Sequence, residues 1–135
     1  MVTTRNCQRC ARTATVFVAM GAALVLAAGP ALAANAVDIA GAAPGGVGVN
    51  YSCDASAGVT GIQAMAGDPN ADRPAALGAQ NTVTCDGAQH LATVPLTGAT
   101  GEAPLQSGAN VQVRVALVDQ NDIVVHGQAK VLTLQ

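Results

Sequence analysis

Few residues in this 135-residue chain have types and spacing that could do chemistry. Asp68-Pro69-Asn70-Ala71-Asp72 places side-chain oxygens at alternate positions. That spacing suits a hard cation such as Ca²⁺ and echoes the start of an EF-hand loop. The remainder of such a loop is missing. Arg73 stands where the sharp turn needs Gly, and Ala79 stands where a bidentate Glu is required. The plainer reading is a polar turn in which Asp and Asn cap the backbone. His90 and His126 are the two histidines. On adjacent strands they would offer two imidazoles to a transition metal, without an obvious third ligand. For His90 the plainer reading is structural, a hydrogen bond near the Asp86-Gly87 turn.

Catalytic patterns are scarcer still. Glu102 is the one glutamate and falls in a loop-like stretch. Ser52, Ser56 and Ser107 lack the G-x-S-x-G nucleophile elbow. No phosphate loop or dinucleotide fingerprint occurs. Asn50-Tyr51-Ser52 matches a glycosylation sequon, but on a strand that reads as buried the match is taken as chance. The expectation is therefore a protein that is not an enzyme and carries no cofactor, with a small hydrolase as a weaker alternative.

The four cysteines divide by position. Cys7 and Cys10 form a C-x-x-C, but they lie among Arg5, Arg9 and Arg12 at the start of the chain. An apolar run from about residue 13 to 28 follows, and then Gly29-Pro30 and the small-residue motif Ala31-Leu32-Ala33. Together these read as a signal peptide over residues 1–33, cut after Ala33 or Ala34. The run is about 16 residues, short of the roughly 20 of a spanning helix, so no membrane span is expected after cleavage. The arginines are not adjacent, which argues against a twin-arginine signal. Cys53 and Cys85 then remain as one pair. In a secreted, extracytoplasmic protein they most simply form a disulfide. A catalytic thiol has no local Cys-His arrangement behind it.

Past residue 33, three basic residues (Arg73, Arg114, Lys130) face eight acidic ones, a net charge of −5. Phosphate binding needs a basic face, so nucleic acid is a poor partner. Tyr51 is the sole aromatic of this part, which removes base-stacking platforms and aromatic-lined pockets. The core has to be built from Val, Leu, Ile, Ala and Met.

The elements needed to position these residues are strands. Residues 34–46 read as a flexible N-terminal arm or an edge strand, and 47–135 as the folded domain. Val47, Val49, Tyr51 and Cys53 alternate with Gly48, Asn50 and Ser52, the period of a half-buried strand. Residues 59–66 form a second strand of ambiguous phase. Residues 67–80 are a Pro-containing loop with room for a short helical turn at 75–79. Residues 81–86 make a third strand with Val83 and Cys85 on one face. Residues 90–96 make a fourth, with Pro95 marking an edge or end. Residues 97–110 are a second long loop. Val111, Val113, Val115 and Leu117 alternate most clearly, and with 123–134 they form a hairpin, bulged or bent at Gly127, a point where the second arm could switch sheets. The sum is an all-β, antiparallel, immunoglobulin-like sandwich of six or seven strands with one disulfide.

Tyr51-Ser52-Cys53, Thr84-Cys85-Asp86-Gly87 with His90 after it, and the final Val/Ala-rich hairpin appear in an order that resembles small secreted actinobacterial β-sandwich proteins of unassigned function. The likeness covers most of the chain after residue 33. It implies an immunoglobulin-like sandwich and export, and no activity. Two departures from a true immunoglobulin domain stand out. The cysteine spacing is too short for the usual inter-sheet pair, and the buried Trp is missing. The functional expectation is a secreted, non-catalytic binding or cell-envelope interaction module, its partner an unidentified protein or envelope component. A small-ligand or metal-binding secreted module is the alternative. The long loops 67–80 and 97–110 are the natural binding surface. Oligomeric state is left open.

Overall fold

A computed structural model describes residues 35–135. The signal-peptide assignment, its cleavage point and Cys7 and Cys10 fall outside the described residues. Eight strands follow in order: β1 (Ala36–Ala43), β2 (Gly46–Ser52), β3 (Val59–Gly67), β4 (Ala76–Gln80), β5 (Gln89–Pro95), β6 (Thr97–Gly98), β7 (Asn110–Asp119) and β8 (Val124–Thr133). They form a three-stranded sheet, β1-β2-β5, and a five-stranded sheet, β6-β4-β3-β7-β8, with every pairing antiparallel. This is an all-β sandwich. Its order matches an immunoglobulin-like arrangement in which β1, β2 and β5 stand as A, B and E, while β4, β3, β7 and β8 stand as C′, C, F and G.

Alternation drives the packing. Val47, Val49 and Tyr51 of β2 point inward, as do Val111, Val113, Val115 and Leu117 of β7. Ile39, Ile62, Leu117, Val47, Val49, Val94 and Val113 are fully buried. Each such side chain stabilises the fold by about 1.5–3 kcal/mol. Among the described residues, no polar or charged residue is buried, so the interior between the two sheets is packed by apolar side chains and the disulfide-bonded Cys53.

Several local expectations are corrected. Of the two readings of residues 34–46, the structure has the edge strand, β1 at Ala36–Ala43, so only the start of the sandwich moves, to before residue 47. The phase of β3 is resolved by a register shift between Val59 and Gly61. Thr60 is the extra residue, so Val59 and Ile62 both face inward despite opposite parity, and Met65 faces out. Residues 75–79 make no helical turn. Ala76–Gln80 instead pairs with β3. Gly78 is needed there because a Cβ at that position would overlap the Pro95 carbonyl, where the chain crosses from β5 toward β6. Residues 81–85 form no ladder. They close one end of the sandwich, with the Thr84 N–H donating to Tyr51 Oη at 3.0 Å.

The β8 irregularity lies at Val125 rather than at Gly127, because Leu117 pairs with His126 while Val118 pairs with Val124. β8 stays on β7 throughout and does not switch sheets. On its core-facing parity Leu132 packs against the core, whereas the Gln128 and Lys130 side chains reach β1. Gln128 Oε1 accepts the Ile39 N–H at 2.7 Å, and Lys130 Nζ donates to Ile39 O at 3.2 Å.

Candidate functional site

The two long loops leave from one end of the sandwich. The 68–75 loop is folded by its own side chains. Asp68 Oδ1 accepts the Asn70 N–H at 2.7 Å, and Asp68 O accepts the Ala71 N–H at 3.1 Å. The Ala75 N–H returns to Ala66 O at 2.9 Å. In the 99–109 loop the Glu102 N–H donates to Ala99 O at 3.1 Å. Its far side is tied to the end of the chain, with Gly108 N–H donating to Leu134 O at 2.8 Å and Ser107 Oγ to Gln135 O at 3.1 Å. The Ala99 N–H donates to Ala75 O at 2.8 Å and so joins the loops directly.

Arg73 is the cation, and Asp68 the carboxylate, that both hollows of this surface share. Arg73 borders a 130 Å³ hollow with Asp68, Asp72, Gln112 and Arg114, and a 260 Å³ hollow with Glu102, Leu105 and Asn110. Arg114 Nη2 donates to Gln112 Oε1 at 3.3 Å. Among the described residues, neither arginine makes an ion pair, since the one ion-pair contact there is His90 with Asp86. Both hollows fall below the roughly 300–1,000 Å³ of small-molecule pockets. A broader depression of 400 Å³ lies on the outer face of the five-stranded sheet, lined by Gln63, Met65, Leu77 and Ala79, and holds no charged side chain.

The opposite end carries the disulfide. Cys53 and Cys85 are bonded, with Cα atoms 4.7 Å apart. Cys53 follows β2 and Cys85 lies in the β4–β5 connection, so the bridge does not join the B and F positions of an antibody domain. Beside it, His90 Nε2 contacts Asp86 Oδ1 at 2.8 Å, and the His90 ring lies 5.7 Å from the Tyr51 ring. The His90 hydrogen bond, followed by the Ala88 N–H, holds the Asp86 carboxyl below its usual value of 3.8. The Asp54 carboxyl is lowered by the Ser56 N–H and then by the Ser56 hydroxyl. Gly87 completes this turn with φ of 78°, a conformation that favours glycine.

The metal candidates disperse. His90 sits on β5 and His126 on β8, in different sheets, so the two are not on adjacent strands. Asp68 spends a carboxylate oxygen on the Asn70 N–H, as a turn cap does, and Asp72 borders the hollows beside Arg73. Among the described residues, no cluster of three His, Cys, Asp or Glu is arranged to hold a metal. Among them, too, no helix is long and apolar enough to cross a membrane.

Sequence reasoning missed that Arg73 and Arg114 border one hollow. They lie 41 positions apart and come to the same hollow only because β3 and β7 are neighbours, with Met65 opposite Arg114. It also missed the Gln128 and Lys130 bonds to β1, since polar residues on an inward parity carry no such signal. No protein-family model matches the chain, and comparison with curated proteins and with solved structures gives no match.

Proposed function

We propose that the chain is an exported, non-catalytic binding module that contacts a protein or cell-envelope component through the 68–75 and 99–109 loops. The observation that carries this reading is the convergence of the two loops, joined at Ala75 and Ala99, on one end of a rigid sandwich. Loops held by a β-scaffold are the usual seat of recognition. The surface offers charges of both signs, Arg73 and Arg114 against Asp68, Asp72 and Glu102, none of them committed to an ion pair among the described residues. Export rests on the signal-like pattern of residues 1–33 and agrees with the disulfide. The shallow hollows favour a macromolecular partner over a small ligand, and the dispersed histidines and aspartates give a metal little to bind.

The test is a chemical cross-linking pull-down from cell-envelope extracts. Wild-type protein is compared with an Arg73→Glu, Glu102→Lys double variant of unchanged thermal stability. The variant is expected to lose the recovered partner. Equal recovery by both proteins, or no recovery by either, overturns the proposal.

A further inference from the structure

The sandwich treats its strand edges unequally. β1 has its outer edge capped by the Gln128 and Lys130 side chains and by the Gln135 N–H, which donates to Ala42 O at 3.0 Å. β6 is two residues long. β8 carries a bulge at Val125 and a lysine. These are the devices by which natural sheets blunt an edge against pairing with another chain.

β5 has none of them over residues 89–94. It ends the three-stranded sheet and pairs with β2 through seven consecutive residues without a register shift. The segment Gln89-His90-Leu91-Ala92-Thr93-Val94 contains no Asp, Glu, Lys or Arg. Among the described residues, no side chain and no backbone group outside the β2 ladder bonds to its main chain. Alternate N–H and C=O groups of β5 therefore point outward from a straight edge. Leu91, at its middle, is 79% exposed, the most exposed large apolar side chain among the described residues.

We propose that β5 is a self-association edge, which pairs antiparallel with β5 of a second copy of this chain. The two three-stranded sheets would then join as one of six strands about a two-fold axis at Leu91. The sequence around Leu91 favours a copy of itself. Antiparallel pairing centred there sets Leu91 against Leu91, Gln89 against Thr93 and His90 against Ala92, so each pair shares a face. The five pairs lie within residues 89–93 and leave out Pro95, which has no N–H to donate. The chain from residue 35 onward has a net charge of −5, yet the edge itself is free of carboxylates, so two copies meet there without like charges opposed. The joined strands bury a small area, which places the dimer among weak and transient contacts.

Analytical ultracentrifugation of the purified protein from about 10 μM to 1 mM tests this, the range in which so small an interface acts. Wild-type protein is expected to shift from monomer toward dimer across that range. Leu91→Lys and Leu91→Glu, each alone, are expected to stay monomeric because like charges then face each other across the axis. Their far-ultraviolet circular dichroism should match wild type. An equimolar mixture of the two variants is expected to dimerise again. A wild-type protein that is monomeric throughout, including one that instead takes up an unrelated extended peptide, overturns the proposal. So do single variants that associate as wild type does, or a mixture that does not associate.

Discussion

Gln128 of β8 holds Ile39 of β1 across the open side of the sandwich. Its Oε1 takes the Ile39 N–H at 2.7 Å, while its Nε2 donates to Asp38 Oδ1 at 3.1 Å. Ile39 is itself one of the fully buried core side chains, so one amide fixes both the edge and a core position.

Gln128→Ala removes the acceptor and leaves the Ile39 N–H without its partner. A loss of about 1–2 kcal/mol is expected. Urea denaturation should show a lower midpoint at an unchanged slope. An unaltered midpoint contradicts this role.

The bridge between Cys53 and Cys85 spans 32 positions. In the chain-entropy account such a loop contributes about 3–4 kcal/mol. A Cys53→Ala, Cys85→Ala double variant should lose that amount, and the wild type under reductant should approach it. Coincident unfolding curves for oxidised and reduced protein would refute the expectation.

Gly78 and Gly98 make a matched pair. A Cβ on Gly78 meets the Pro95 carbonyl, whereas a Cβ on Gly98 meets nothing within 4 Å. Gly78→Ala should destabilise by about 1–3 kcal/mol or more through overpacking. Gly98→Ala should be close to neutral. Differential scanning calorimetry of the two variants checks the contrast, which fails if both melt alike.

Acid lability follows from Asp86. Its carboxyl is held below 3.8 in the fold by His90 and the Ala88 N–H, and returns to the usual value on unfolding. Its contribution is therefore full above about pH 3.8 and is lost as pH falls through the lowered folded value. Asp86→Asn should show a flatter fall in stability below pH 4 than wild type. Parallel acid-unfolding curves would count against this.

Legibility in the sequence tracked how completely each strand is covered. β2 and β7 lie over the core, so their apolar residues alternate without interruption, and both were readable. β8 lies at the margin. Its inward positions run His126, Gln128, Lys130 and only then Leu132, so the apolar alternation is broken over most of the strand and Gly127 draws the bend. Ala76-Leu77-Gly78-Ala79 reads as helical because Ala and Leu favour helices, but pairing with β3 overrides that preference. Val83 and Cys85 alternate as a strand would, yet the bridge and the Tyr51 hydroxyl hold this segment, with no ladder. The two loops were legible from Pro and Gly. That they meet, and that Arg73 and Arg114 border one hollow, depends on tertiary neighbours far apart in the chain.

Tyr51 is the single tyrosine in a chain without tryptophan. Its hydroxyl binds the residue next to Cys85, and Cys53 is two positions on. The protein thus carries one phenol and no indole fluorophore, seated beside a sulfur pair that quenches phenol emission. Its optical signal should brighten when that bond is cut, so the redox state can be followed in real time without any attached dye.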